Sequence, residues 1–168
     1  GRLAGRSLIE VVAIPIYTLW NSLVCLWMMR QARVRALGPH LVESALEALC
    51  PDGVDAMPLE QQSACLMAMR KVALQTGAFH PNVRLLLQRY LEQTSYPVET
   101  LLQHHETLDA AVMAATPGQR RVILEFFALG AALEGAITRR NRRYLKALQR
   151  SAGEPPADDR LDAYLRFG

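Results

Sequence analysis

A run of nineteen residues without a charged side chain is the feature that most constrains this chain. It covers residues 11–29, VVAIPIYTLWNSLVCLWMM, in a sequence of 168 residues whose other parts mix charged and apolar side chains. A helix needs about 20 apolar residues to cross a bilayer, so the run is at the lower limit for a membrane span. The run therefore predicts a helix that is covered by protein or by lipid.

The surroundings of the run predict one long helix at residues 8–36. Gly38 and Pro39 are typical of a helix end. Pro15 predicts either a kink at that residue or a helix that effectively begins near it. A soluble helical bundle could bury such a helix at its centre, and a membrane could hold it as a spanning or surface-lying segment. Both alternatives stay open.

A polar stripe on this helix favours a partner surface over plain lipid. Glu10, Tyr17, Asn21 and Met28 are separated by seven, four and seven residues, which places them near one line along a helix. Lipid would leave their polar groups unpaired. We therefore expect the stripe to pack on a protein partner or on a second copy of the helix.

The remaining sequence predicts an all-α fold with seven to eight helices in total. No stretch alternates polar and β-branched residues as a strand would. The expected domains are an N-terminal helix at 1–38, a helical domain at 39–153, and a linker with a short helix at 154–168. Within them we predict helices at about 40–50, 58–76, 81–93, 97–115, 118–134, 138–151 and 158–166.

An offset of 58 residues brings two helix-turn-helix units into register. It aligns Gly77 with Gly135. We expect the first helix of each helix-turn-helix unit to end at this glycine, in the left-handed conformation that glycine permits. It also aligns His80 with Thr138 as N-caps of the next helices. Apolar positions agree as well, namely Leu66 with Leu124, Ala73 with Ala131, Phe79 with Ile137 and Leu87 with Leu145. The match predicts an internal duplication.

The repeated pattern Ala-x-x-x-Gly-x-(Phe/Ile)-(His/Thr), followed by an Arg- and Leu-rich helix, resembles the TerB-like domain over about residues 58–151. That family is named for a tellurite-resistance protein and also occurs as an accessory module on bacterial membrane proteins and proteases. The resemblance implies an all-α fold with pseudo-twofold symmetry and a stress-related role in a bacterium. Family members often gather a divalent cation with an Asp before the Gly, but here Thr76 and Glu134 hold those places. One carboxylate does not make a Ca²⁺ or Mg²⁺ site.

The densest group of metal-ligating residue types is His104, His105 and Glu106 with Asp109. On one continuous helix His105 and Asp109 would share a face. A closed site needs about four ligands, so a metal-dependent enzyme that adds Glu99 is an alternative, and an exposed polar helix face is the simpler interpretation. No nucleophile elbow or phosphate-binding glycine loop is present, and we expect no cofactor and no catalysis.

A basic helix near the end of the chain is the other candidate site. Arg139, Arg142, Arg143 and Lys146 fall largely on one side of the predicted helix 138–151. Such a face is a solvated surface or a binder of anionic lipid. Nucleic acid is disfavoured because Tyr144 is the one aromatic residue available for base stacking.

The three cysteines, Cys25, Cys50 and Cys65, have apolar neighbours and predict buried thiols in a reducing compartment. We therefore expect a protein of the cytoplasm or of the inner face of the cytoplasmic membrane. The predicted function is a non-catalytic helical interaction or scaffolding module. Its expected partner is another protein, a second copy of itself or an anionic membrane surface.

Overall fold

The computed structural model describes residues 2–77, 80–103, 107–134 and 137–155, and it describes the backbone alone for 2–15 and 76. All regular structure in these ranges is helical, which confirms the predicted all-α fold. The predicted helix at 158–166 lies outside the described residues. In chain order the helices are α1 (Arg2–Leu49), a short 3-10 helix (Val54–Ala56), α2 (Leu59–Thr76), α3 (Pro81–Glu92), α4 (Val98–Gln103), α5 (Leu108–Ala114), α6 (Pro117–Ala132) and α7 (Arg139–Ala152).

The first helix is long and bent, as predicted, but the predicted stop at Gly38 and Pro39 is wrong. The backbone stays helical through Pro15 and Pro39 and ends at Leu49. A proline removes one hydrogen bond and pushes on the preceding turn, which bends a helix without always ending it. Gly38 has a packing role instead, because a Cβ there would lie 2.3 Å from the side chain of Asn82 at the start of α3.

The chain divides into two compact units, and the boundary falls inside α1. The first unit ends at Arg33 and consists of the N-terminal part of α1. The second unit begins at Val34 and contains the rest of α1 with α2 to α7. We call the second unit the helical domain.

The helical domain is built around a close pairing of α2 with α6. Every residue from Ile123 to Leu133 is buried. Gly130 of α6 faces Val72 of α2, and a Cβ at this position would meet the Val72 side chain at 3.5 Å, an ordinary van der Waals distance. Tyr90 of α3 closes one side of this core, with its ring edge-on to Phe126 at a centroid distance of 5.3 Å.

Two helix-turn-helix units, α2 with α3 and α6 with α7, occupy the positions of the predicted duplication. Both second helices are capped as predicted. His80 Nδ1 accepts a hydrogen bond from the Asn82 N–H at 3.2 Å, and Thr138 Oγ1 accepts one from the Asn141 N–H at 3.1 Å. Val72 and Gly130 are also 58 positions apart, so equivalent residues of the two helix-turn-helix units face each other, as they would around a twofold axis.

The first helices of the two units end differently. Gly77 takes the left-handed conformation with φ 67°, as predicted. Helix α6 ends instead at Ala132, and its C-cap residue Leu133 is right-handed, with φ −63°. The aligned residues Gly135 and Phe79 lie outside the described residues. The predicted glycine end is thus confirmed for α2, whereas α6 ends before Gly135 is reached.

The predicted helix at 97–115 is wrong, because two short helices, α4 and α5, replace it. Thr107 is extended, with φ −142° and ψ 151°, and its hydroxyl caps α5 by accepting from the Ala110 N–H at 3.2 Å. Arg120 of α6 then joins neighbouring helix ends. Its guanidinium donates to carbonyl oxygens of Val112, Ala115 and Ala152 at 3.0, 3.0 and 2.7 Å.

Candidate interaction surface

The most exposed apolar surface of the described chain lies on α1 between Ile16 and Met29. We call these residues the apolar segment. Its large apolar side chains are 36 to 69% exposed; they are Ile16, Tyr17, Leu19, Trp20, Leu23, Val24, Leu26, Trp27, Met28 and Met29. A continuous apolar patch is uncommon on a protein that has no partner, whereas single exposed apolar residues are ordinary. These exposures do not support the alternative in which the run is a buried central helix.

The apolar side chains of this segment cover more than half of its circumference. At about 100° per residue, nine of the ten lie in an arc of about 200° that runs from Leu26 to Met28. The remaining arc holds Met29 and four small residues, which are Thr18, Asn21, Ser22 and Cys25. The Ser22 hydroxyl donates to the Thr18 carbonyl at 2.8 Å, so the backbone of the same helix provides a hydrogen-bond partner for one polar side chain of this arc.

The predicted polar stripe falls at the edge of this apolar arc. Tyr17 and Asn21 are both exposed, and the side chain of Glu10 lies outside the described side chains. Asn21 belongs to the small polar arc, whereas Tyr17 and Met28 belong to the apolar arc. Packing of the stripe on a partner stays a prediction.

The charged residues that follow directly after the apolar segment on α1 are basic. No Asp or Glu occurs between Val11 and Val42. Two arginines, Arg30 and Arg33, follow the apolar segment in the first unit, and both are exposed. The segment therefore combines an uncharged apolar surface with positive charge at its C-terminal end.

Among the residues that the structure describes, no helix is both long enough and apolar enough to pass through a membrane.

Helix α7 presents the predicted basic face. Arg139, Arg140, Arg143 and Arg150 are exposed, and among the described residues none of these four forms an ion pair. Arg142 and Lys146 are half-buried and take part in contacts of the domain. The opposite face, with Asn141, Leu145 and Leu148, is buried in the core.

The predicted metal ligands are not brought together within the described residues. His104, His105 and Glu106 lie outside them. Asp109 accepts a hydrogen bond from the Tyr144 hydroxyl at 2.7 Å, and Lys71 Nζ lies 5.0 Å from the centroid of the same ring. The extended conformation of Thr107 also ends the continuous helix on which the shared face of His105 and Asp109 depended. In the described ranges no group of three or more His, Cys, Asp or Glu is placed to hold a metal ion.

The prediction of three buried thiols is wrong for one of them. Cys25 is exposed on the apolar segment, whereas Cys50 and Cys65 are buried. Burial raises the pKa of Cys50 to about 11 and raises the pKa of Cys65 well above its usual range. A thiol with a raised pKa holds little nucleophilic thiolate at neutral pH. Of the three, Cys25 is the accessible one.

A groove runs along the outer face of α3. Its floor is formed by Leu87 and Leu91 and its rim by Arg84, Gln88 and Glu92. Glu92 is the one of these five side chains that could act as a nucleophile or general base, and its carboxylate accepts hydrogen bonds from Gln88 Nε2 at 2.9 Å and Arg89 Nη1 at 3.0 Å.

Comparisons with protein-family models, with characterised proteins and with solved structures return no match for this chain. The resemblance to the TerB-like unit therefore stays a prediction, and the surfaces described above are what bears on function. The sequence predicted the polar stripe as the contact surface. The larger signal was the placement of both tryptophans of the chain, Trp20 and Trp27, in the same uncharged run.

Proposed function

We propose that the protein is a non-catalytic helical interaction module and that the apolar segment is its binding element. One observation carries the proposal, namely the exposure of ten large apolar side chains on fourteen consecutive residues of one helix. By comparison, the described part of the helical domain exposes large apolar residues at scattered positions, which are Leu74, Tyr96, Val98, Leu102 and Met113. The resemblance to the TerB-like unit adds the expectation of a bacterial, stress-related setting.

The division into two units suits a folded domain whose chain also carries a separate binding element. Full burial of a large apolar side chain contributes about 1.5–3 kcal/mol to folding, and the helical domain has its own core around α2 and α6 that contains many such side chains. Exposed side chains of the apolar segment contribute little to that core. Their removal should therefore change binding and leave the folding of the domain intact.

Substitution of the segment tests this function directly. In the variant Leu19→Gln/Leu23→Gln/Leu26→Gln, three exposed leucines of the apolar arc become polar. Analytical ultracentrifugation, with and without nonionic detergent micelles, measures self-association and micelle binding. We expect wild-type protein to associate and the variant to sediment as a detergent-free monomer with an unchanged melting temperature.

The matched control is Leu74→Gln/Met113→Gln, which alters exposed apolar residues of the helical domain. It should associate like wild type. Wild-type protein that stays monomeric and binds no micelle would overturn the proposed function, as would equal effects of the two sets of substitutions.

A second candidate function, binding of an anionic partner by α7, is favoured by its four exposed arginines without ion pairs among the described residues. Attraction of this kind weakens steeply with salt. The variant Arg139→Gln/Arg143→Gln should then bind double-stranded DNA or anionic vesicles less tightly than wild type at low salt. Equal binding by variant and wild type would exclude α7 as the contact.

A further inference from the structure

We propose that the partner of the apolar segment is the surface of an anionic phospholipid bilayer, an inference that rests on the proposed interaction function and names its partner. The segment would seat its apolar arc among the acyl chains near the headgroups. At its C-terminal end Arg33 lies beside the arc and Arg30 within it by helical periodicity, and their long side chains would reach the phosphates. The choice of a bilayer over another protein follows from the extent of the apolar arc and from the charge around it.

The width of the apolar arc is the first reason. A helix that packs on one neighbouring helix covers a stripe about 100° wide, whereas the arc from Leu26 to Met28 spans about 200°. A second copy of the segment would leave about half of the arc in water. A lipid surface covers the whole arc at once, because acyl chains adapt to the shape of the helix.

The charge distribution is the second reason. With no acidic residue between Val11 and Val42, nothing in this stretch repels an anionic headgroup. Exposed Arg30 and Arg33 complement the negative surface potential. Arginine donates up to five hydrogen bonds in a fixed fork that matches phosphate oxygens. A neutral protein partner would gain no comparable electrostatic attraction from these two arginines.

The side chains at the rim of the arc fit the same location. Tyr17, near one edge of the arc, is exposed, and its ring combines a large apolar body with a polar group that favours the membrane–water boundary. The small polar arc around Asn21 and Cys25 carries no charge, so it can face the headgroup layer at low cost. The helix of about 21 Å from Ile16 to Met29 lies comfortably along such a surface.

Vesicle binding tests the inference with the full chain. Flotation with vesicles of phosphatidylcholine alone, or of phosphatidylcholine mixed with phosphatidylglycerol, measures the partition coefficient for each lipid composition. Each arginine near an anionic surface contributes a factor of about five. We therefore expect Arg30→Gln/Arg33→Gln to bind anionic vesicles about 30-fold more weakly than wild type, and high salt to weaken wild-type binding.

The matched control is Arg70→Gln/Arg121→Gln, which removes the same charge from exposed positions of α2 and α6. It should bind the vesicles like wild type. Failure of wild-type protein to float with anionic vesicles would overturn the inference, and so would equal losses in the two double variants. If micelle binding or self-association through the segment persists in that case, the proposed function stands and its partner is not an anionic bilayer. If that association is absent as well, both proposals fail.

Discussion

Gly38→Ala tests the packing of the helical domain, because helix propensity and the close contact with Asn82 predict opposite changes in the free energy of unfolding. Alanine is favoured over glycine inside a helix by about 1 kcal/mol, and Gly38 lies within α1. Propensity alone therefore predicts a more stable protein. The structure predicts the reverse, because a Cβ at this position would lie 2.3 to 2.4 Å from three side-chain atoms of Asn82.

The magnitude follows from what Asn82 does. Its Nδ2 donates to the carbonyl of Val34 at 2.8 Å and to the carbonyl of Leu133 at 3.3 Å, which ties α3 to α1 and to the end of α6. Losing both bonds costs about 2 kcal/mol, and leaving the buried amide unpaired costs about 1–3 kcal/mol more. After the gain in propensity, Gly38→Ala should lower the free energy of unfolding by about 2–4 kcal/mol.

Urea denaturation followed by circular dichroism measures this difference, and two further variants isolate its cause. Gly118→Ala is the matched control, because a Cβ there meets nothing within 4 Å, and it should stabilise by up to about 1 kcal/mol. In an Asn82→Ala background the clash is gone, so Gly38→Ala should then stabilise by a similar amount. A Gly38→Ala single variant that is more stable than wild type would refute the reasoning.

Three further outcomes follow from the described contacts. The pKa of His80 is lowered by burial and by Arg35, so the unfolded chain takes up the proton first; the melting temperature should fall as the pH drops below 6.5, and His80→Asn, which keeps a capping acceptor, should flatten that dependence. A thiol reagent should modify Cys25 alone in native protein and all three cysteines after unfolding, and reaction of native Cys25→Ser would contradict the burial of the other two. Arg120→Lys should lower the free energy of unfolding by about 2 kcal/mol in denaturant titrations, because an ammonium group cannot reach three carbonyls as the guanidinium does; an unchanged midpoint would contradict this role.

The fold could be predicted from local signals where those signals were strong. The caps at His80 and Thr138 and the glycine end at Gly77 lie where the residue types place them. The error at Gly38 and Pro39 has a tertiary cause, because the glycine serves a close contact with Asn82 that lies 44 positions away in the sequence. No local pattern reports such a contact.

The candidate surfaces were predictable to different degrees. The basic face of α7 follows from helical periodicity and is observed. The shared face of His105 and Asp109 depended on a continuous helix, and Thr107 ends that continuity by capping α5. The uncharged run was visible in the sequence, but periodicity could not say whether its residues were covered, because an apolar helix has the same pattern in a core and on a surface.

Quenching of tryptophan fluorescence by lipids brominated along their acyl chains tests the central claim most directly. The chain has two tryptophans, Trp20 and Trp27, and both lie on the apolar segment with about two thirds of their surface exposed, at 64 and 63%. The emission of the unmodified protein therefore reports on this segment alone. Insertion predicts a blue shift and strong quenching with brominated anionic vesicles, and neither effect after Leu19→Gln/Leu23→Gln/Leu26→Gln. Emission that stays unshifted and unquenched at saturating anionic lipid would contradict the assignment of the apolar segment as a membrane-binding element.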